Sequence, residues 1–387
     1  MTHPHPALLP TGLADVLPPF AALEAAAGER ALAVFAAQGY ERTMPPMLEF
    51  EESFLSGAGE PLARETFRMM DPASQRMLAL RSDMTPQIAR IAATRLANSP
   101  RPLRLCYLGA VMRVSGERAG AERQVRQAGA ELIGSGRAEA DAEIVLLAAK
   151  ALAAIGVERV SVDLNVPRLA GEVLAGLDLN GASAALMAAL DRKDFSETRR
   201  LAPKAAARTL EQLIDAGGPV DAAFAAAAAI DLPEAARERI ARLAGIVALI
   251  QAEAPDLQLT IDFVEHRGFA YHTGVAFSLF AEGHTGELGR GGRYRAPAPD
   301  GHDPASEPAV GFTLFMEAAG RAARRPAPTA RVYLPHGASV RDREAILEAG
   351  HVAVAGLEPV ADTAAEAKRL GCAGAWRVDH IEFFQEG

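Results

Sequence analysis

The chain is poor in cysteine, in lysine and in clustered basic charge, and each shortage removes a class of function. Cys106 and Cys372 stand far apart in 387 residues, in no CxxC or metal-ligand spacing. Neither a disulfide framework nor a zinc site is expected, and both read as reduced small residues. Lysine occurs only at positions 150, 193, 204 and 368, and with the heavy alanine content this reads as codon bias. Net charge is −9 and no run of Lys and Arg gathers, so no nucleic-acid partner is expected, because neutralising phosphates takes a local basic surface. No uninterrupted apolar run approaches the ~20 residues a membrane helix needs. The opening stretch lacks a basic region followed by an apolar one. A cytoplasmic protein without membrane contact is expected. P-loop, HExxH and GxSxG motifs are all missing, and the glycines at 289–292 lie among strand signals rather than opening a helix. No catalytic residue, cofactor or metal is therefore expected. His3, His5 and His302 fall in predicted loops as solvated residues.

What is present suffices for one large core and a smaller domain, since 49% of the residues are hydrophobic. An Ala/Leu-rich helix is predicted over 19–38, stopped by Gly39. Pro45 and Pro46 prevent helix over 43–48. Thr85 reads as the N-cap of a helix with Pro86 at its first position and Ile88, Ile91, Ala92 and Leu96 on its buried stripe. Residues 103–114 and 123–134 read as two strands, 138–155 as a helix and 160–166 as a strand. An Ala-rich helical insertion is expected over about 167–255, broken at Gly217-Gly218-Pro219 and Leu232-Pro233. Strand signals return at 257–265, 271–280 and 309–314, with a Pro/Asp-rich loop over 296–308. A linker around Arg324–Pro328 divides a large domain, 1–323, from a short C-terminal α/β domain, 331–387.

Alternation places Val125, Gln127, Gly129, Glu131 and Ile133 on one face of their strand, and Tyr107, Gly109, Val111 and Arg113 on one face of the preceding one. Paired as a hairpin, these strands converge Arg113, Gln127 and Glu131 over one surface. Arg, Gln and Glu among small residues suit an amino-acid pocket, although a solvated outer face has the same pattern.

Five ordered segments carry a resemblance. Residues 113–134 resemble the second signature motif of the class II aminoacyl-tRNA synthetases in its histidyl form. Gly12–Pro18 resembles that family's opening, and Pro46 falls where its dimer-forming first motif has proline. Leu80–Thr85 resembles the segment that contacts the histidine α-amino group. Arg267–Gly274 and Gly291–Tyr294 resemble its two histidine-specific motifs. The resemblance spans about residues 10–320. It implies an α+β fold with an antiparallel sheet flanked by helices. It also implies a histidine site in which Asp83, Thr85 and Gln127 hold the ammonium, Arg113 and Arg267 face the carboxylate end, and Glu131, Tyr271 and Tyr294 read the imidazole. His272 stands where the family has a second tyrosine, and Ala270 where it has an acid.

The departures fall on the nucleotide side. Val125 replaces the aromatic that stacks on adenine, Ser115 replaces an acid, and Phe315 and Ala318 replace the glycine and arginine of the third motif. Losing that arginine removes a charge-assisted phosphate contact, a loss of about a few kcal/mol in a buried site. The C-terminal module is also short for an anticodon-binding domain. Paralogues of the family with this pattern of loss are regulatory subunits of ATP phosphoribosyltransferase. The resemblance therefore implies a non-catalytic, histidine-sensing dimer that partners the short-form catalytic subunit in the first step of L-histidine biosynthesis. A divergent histidyl-tRNA synthetase is the alternative, and an amino-acid-binding enzyme with another acceptor a third.

Overall fold

The computed structural model describes residues 9–55, 57–114, 122–179, 181–266, 271–299, 306–325 and 327–384. They form two compact units, Met1–Arg324 and Arg325–Gly387. Among the described residues no helix is long and apolar enough to cross a membrane.

The first unit opens with α1 (Phe20–Ala37), which buries Ala27, Ala31, Leu32 and Phe35 at helical spacing. Gly39 follows with φ +83°, the left-handed conformation that ends a helix without a Cβ clash. Then come β1 (Glu41–Arg42), β2 (Leu48–Phe50), α2 (Glu51–Phe54), a 3-10 segment Gly57–Arg64, β3 (Phe67–Met70), β4 (Met77–Leu80) and α3 (Thr85–Ala93). Strands β2, β4 and β3 pair as a small antiparallel sheet.

The main sheet has nine strands among the described residues. It comprises β1, β5 (Leu103–Met112), β6 (Gln124–Ile133), β7 (Val160–Asn165), β8 (Gly218–Pro219), β9 (Gln258–Asp262), β10 (Ala276–Ala281), β11 (Gly289–Pro297) and β12 (Ser306–Phe315). Their order is β1-β5-β6-β12-β11-β10-β7-β9-β8. All pairs are antiparallel except β1 with β5 and β7 with β9. The strand predicted from Tyr271 begins only at Ala276, whereas the one predicted from Ala309 already starts at Ser306.

Alternation along β6 gives the sheet two unlike faces. Ala128, Ala130 and Leu132 join a large apolar cluster with Phe35 of α1 and with Val145 and Leu152 of α4 (Ala138–Ile155). On the opposite face Tyr107, Val125, Ile133 and Tyr294 pack with Met84 and Ile88 in a smaller cluster, which leaves room for polar side chains.

Between β7 and β9 run α5 (Leu169–Val173), α6 (Ser183–Asp191), α7 (Phe195–Leu201), α8 (Lys204–Asp215), α9 (Val220–Ala228) and α10 (Glu234–Glu253). Leu190, Leu213 and Ile246 of this stretch belong to the same large cluster as Leu132 and Leu164. The expected break at Gly218-Pro219 is an edge strand paired with β9; proline fits an edge because its missing N–H costs no ladder bond. Helix α11 (Met316–Ala322) closes the unit.

In the second unit β13 (Arg331–Leu334), β14 (Val352–Ala355), β15 (Gly374–Arg377) and β16 (His380–Phe383) form a sheet in the order β14-β13-β15-β16. Ile346 of α12 (Val340–Glu348) packs with Val332 and Leu334, while Ala367 of α13 (Thr363–Arg369) packs with Tyr333 and Ala375. Strand β16 lies beyond the elements the sequence signals and pairs antiparallel with β15. Cys106 and Cys372 are free and buried, one in each unit.

Candidate functional site

The segment before α3 begins the site. Asp83 Oδ1 accepts from the Thr85 backbone N–H at 2.9 Å, and Gln127 Oε1 accepts from Met84 N–H at 3.1 Å. Asp83 therefore supplies the local cap expected of Thr85, which lies inside the helix with Met84 before it. Gln127 Nε2 also donates to Asp83 Oδ2 at 2.8 Å, so a fully buried amide from β6 fixes the carboxylate.

Across the same sheet face Glu131 is 1% exposed, and Tyr294 Oη donates to its Oε2 at 2.9 Å. Burial pushes the Glu131 carboxyl up to about 8, although hydrogen bonds from Tyr294, Thr85 and Tyr107 pull the other way. Space for it comes from Gly311, its partner in the β6–β12 register, where a Cβ would lie 1.7 Å from Glu131 Oε2.

Beside these groups lies a cavity of about 260 Å³, which Gln127 does not line and touches only through Asp83. Asp83, Thr85, Glu131, Tyr271 and Tyr294 line it, with Tyr271 edge-on to Tyr294 at 6.2 Å between ring centroids. Arg113, Arg290, Glu65 and Phe315 also belong to the wall. Arg113 Nε donates to Ser82 O at 3.4 Å and lies 3.9 Å from Glu65 Oε2. The cavity wall thus carries the carboxyl groups of Asp83, Glu131 and Glu65 together with the guanidinium groups of Arg113 and Arg290, the two kinds of partner a zwitterion requires.

Not every expected residue reaches this wall. His272 is 1% exposed, stacks on Tyr271 at 4.0 Å and occupies the space left by Gly292, where a Cβ would meet its ring at 2.4 Å. It sits behind the tyrosine rather than on the cavity. Arg267 and its neighbours 268–270 lie outside the described residues, as do Ser115, His3, His5 and His302. Arg293 is a buried strut. Its Nε donates to Asp141 Oδ1 at 2.7 Å and its other nitrogens to the Ser135 and Arg137 carbonyls, clamping β11 to the start of α4.

Sequence reading missed Arg290. It immediately precedes the Gly291–Tyr294 motif, and the period of two that places Gly292 on the open face also places Arg290 there. Of the positions that depart from the family, Phe315 is part of the cavity wall, Val125 packs with the smaller cluster and Ala318 is buried in the larger.

Among the described residues, one group of acids could hold a metal: Asp163, Asp262 and Glu265, whose carboxylate oxygens lie within 4.8 Å of one another. Lys193 pairs with Asp262, and Thr260 donates to Asp163 at 2.6 Å. Much of that charge is therefore met within the fold. Burial, reinforced by the neighbouring acids, pushes Glu265 up to about 7.

Residues 12–319 match the family model for histidyl-tRNA synthetase. An ATP phosphoribosyltransferase regulatory subunit from Rhodospirillum centenum is 50% identical over 384 residues, covering 99% of this chain and 98% of that one. One of the same name from Gluconobacter oxydans is 45% identical, covering 97% and 96%. A crystal structure described as an ATP phosphoribosyltransferase regulatory subunit/histidyl-tRNA synthetase from Bacillus halodurans matches with a TM-score of 0.81 at 23% identity, over 95% of this chain and 97% of that one. A chain of the ATP phosphoribosyl transferase (HisG:HisZ) complex from Thermotoga maritima shares the fold at a TM-score of 0.59 and 16% identity, covering 75% and 97%. With the fold, the motif order and 50% identity over nearly the full length in agreement, this chain belongs to the ATP phosphoribosyltransferase regulatory subunits, a non-catalytic family on the histidyl-tRNA synthetase fold.

Proposed function

We propose that this chain binds free L-histidine in the cavity between Asp83 and Glu131 and, as a cytoplasmic dimer, regulates the short-form catalytic subunit of ATP phosphoribosyltransferase. The end product of the pathway would then set the rate of its first step. Glu131 carries this reading. An imidazole presents one N–H and one lone pair, and a buried carboxyl titrating near neutrality can accept from the first or donate to the second. Asp83, Thr85 and Gln127 would receive the ammonium, Arg113 and Arg267 would serve the carboxylate end, and Tyr271 and Tyr294 would flank the ring, with His272 supporting Tyr271 from behind.

The partner is supported by the names of the relatives and by the ATP phosphoribosyl transferase (HisG:HisZ) complex from Thermotoga maritima. The nucleotide side offers no counterweight. Val125 cannot stack on adenine as an aromatic does, Ala318 carries no cation for a phosphate, and Phe315 takes up room.

A dimer is supported by Met44, Met47 and Leu48, which are 76%, 47% and 38% exposed. They belong to a segment held by Arg81 and Gln87, which flank the cavity residues Asp83 and Thr85 in the chain. Arg81 donates from Nη1 to Pro45 O at 3.0 Å and from its backbone N to Met47 O at 3.0 Å, and Gln87 Nε2 donates to Pro46 O at 2.7 Å. A ligand that prefers one arrangement of 81–87 would bias this exposed edge, which is the differential binding a regulator needs. The test is titration calorimetry with L-histidine, on the chain alone and with its catalytic subunit. Absence of binding in both would overturn the reading.

A further inference from the structure

We propose that Arg290 is a specificity-determining residue of the cavity, meeting the carboxylate of a bound amino acid. This rests on the histidine reading above and adds a residue to it.

The register fixes where Arg290 acts. In β11 it pairs with Thr313 of β12, and two residues on, Phe315 pairs with Gln127 of β6. The Arg290 guanidinium carbon lies 5.6 Å from the centre of the Phe315 ring, so the side chain leans toward the Gln127–Asp83 end of the cavity. That is the end where a main-chain ammonium would be held, and the carboxylate is attached to the same carbon. Glu131 and Tyr294, at the other end, are occupied with each other and suit the ring.

The arginine is also held in place. Its Nε donates to Glu287 Oε2 at 3.0 Å, one Nη reaches the same oxygen, and Ser278 donates to Glu287 Oε1. Both oxygens of Glu287 are thus committed, which anchors one edge of a planar guanidinium while the cavity wall includes the residue. A lysine at 290 would keep the charge and lose the fork that engages Glu287 and a ligand carboxylate together.

Paired ligands test the idea. L-histidinol keeps the imidazole and ammonium of L-histidine and carries a hydroxymethyl group in place of the carboxylate. Calorimetry of both ligands against the wild type, Arg290→Met, Arg290→Lys and the double variant Arg290→Met/Glu287→Gln is the measurement. The double variant removes the stranded Glu287 charge should Arg290→Met fold poorly. Arg290→Met and the double variant are expected to bind L-histidine tenfold or more weakly than wild type and L-histidinol within twofold of it, with Arg290→Lys between. If both ligands weaken equally, or neither weakens, Arg290 has no carboxylate role while the histidine reading stands. A wild type that binds neither ligand, alone or with the catalytic subunit, overturns both.

Discussion

Tyr294 and Glu131 meet across an intervening strand. Tyr294 on β11 reaches over β12 to place its hydroxyl 2.9 Å from a Glu131 oxygen on β6. Gly311 of β12, opposite Glu131, has no side chain to block the crossing. The pair puts a buried, hydrogen-bonded carboxyl at one end of a cavity and sets what can be expected of it.

Glu131→Ala should weaken L-histidine binding by about 1–3 kcal/mol, about 5- to 150-fold in affinity, because the ring N–H it serves would be left unpaired in a buried site. Calorimetry decides this, and equal affinities for wild type and variant would place the histidine site elsewhere.

Stability should depend on pH through the same group. Its folded value is raised to about 8 from 4.5, so the folded state holds the proton more tightly than the unfolded chain. This contribution is complete below the unfolded value and is lost as pH rises toward 8, with a slope of at most about 1.4 kcal/mol per pH unit. Glu131→Gln, which cannot ionise, should therefore gain stability relative to wild type as pH rises through that window. Urea midpoints at pH 5 and pH 8 measure it, and a constant difference between the two proteins would refute it.

Gly311→Ala should disrupt the site from the opposite strand. The added methyl would lie 1.7 Å from Glu131 Oε2 and 2.8 Å from the Ala130 carbonyl, so one of them must move. A loss of about 1–3 kcal/mol in stability is expected from overpacking, together with loss of L-histidine binding. Denaturant unfolding and calorimetry read the two effects.

A Met44→Asp/Met47→Asp double variant should elute as a monomer where the wild type elutes as a dimer, since exposed apolar side chains at a two-fold contact tolerate no paired like charges. Light scattering coupled to size exclusion reports the masses. A monomeric wild type would remove the dimer from the proposal.

Mixed with its catalytic subunit, the chain should co-elute, raise that subunit's activity and make it responsive to L-histidine. Alone it should give no histidine-dependent ATP–pyrophosphate exchange. Synthetase-like exchange would restore the alternative of a divergent histidyl-tRNA synthetase.

Features set by neighbours in the chain were readable from residues alone. The 138–155 helix has the bounds expected of it, because an apolar stripe and Gly156 mark it locally, and β5 and β6 are legible as strands from their residues, though their pairing had to be assumed. Val125, Gln127, Glu131 and Ile133 share a face because successive Cβ atoms point to opposite sides of any strand. Associations between distant segments were not readable that way. Nothing near Arg293 announces that Asp141, 152 residues earlier, will bury it, and nothing near Gly218 announces an edge strand on β9. The placement of β12 between β6 and β11 decides that Tyr294 serves Glu131 and that Arg290 leans over Phe315. Strand order is chosen by how whole faces bury against α1, α3 and α4, a balance summed over the entire unit, and no window of the chain contains it.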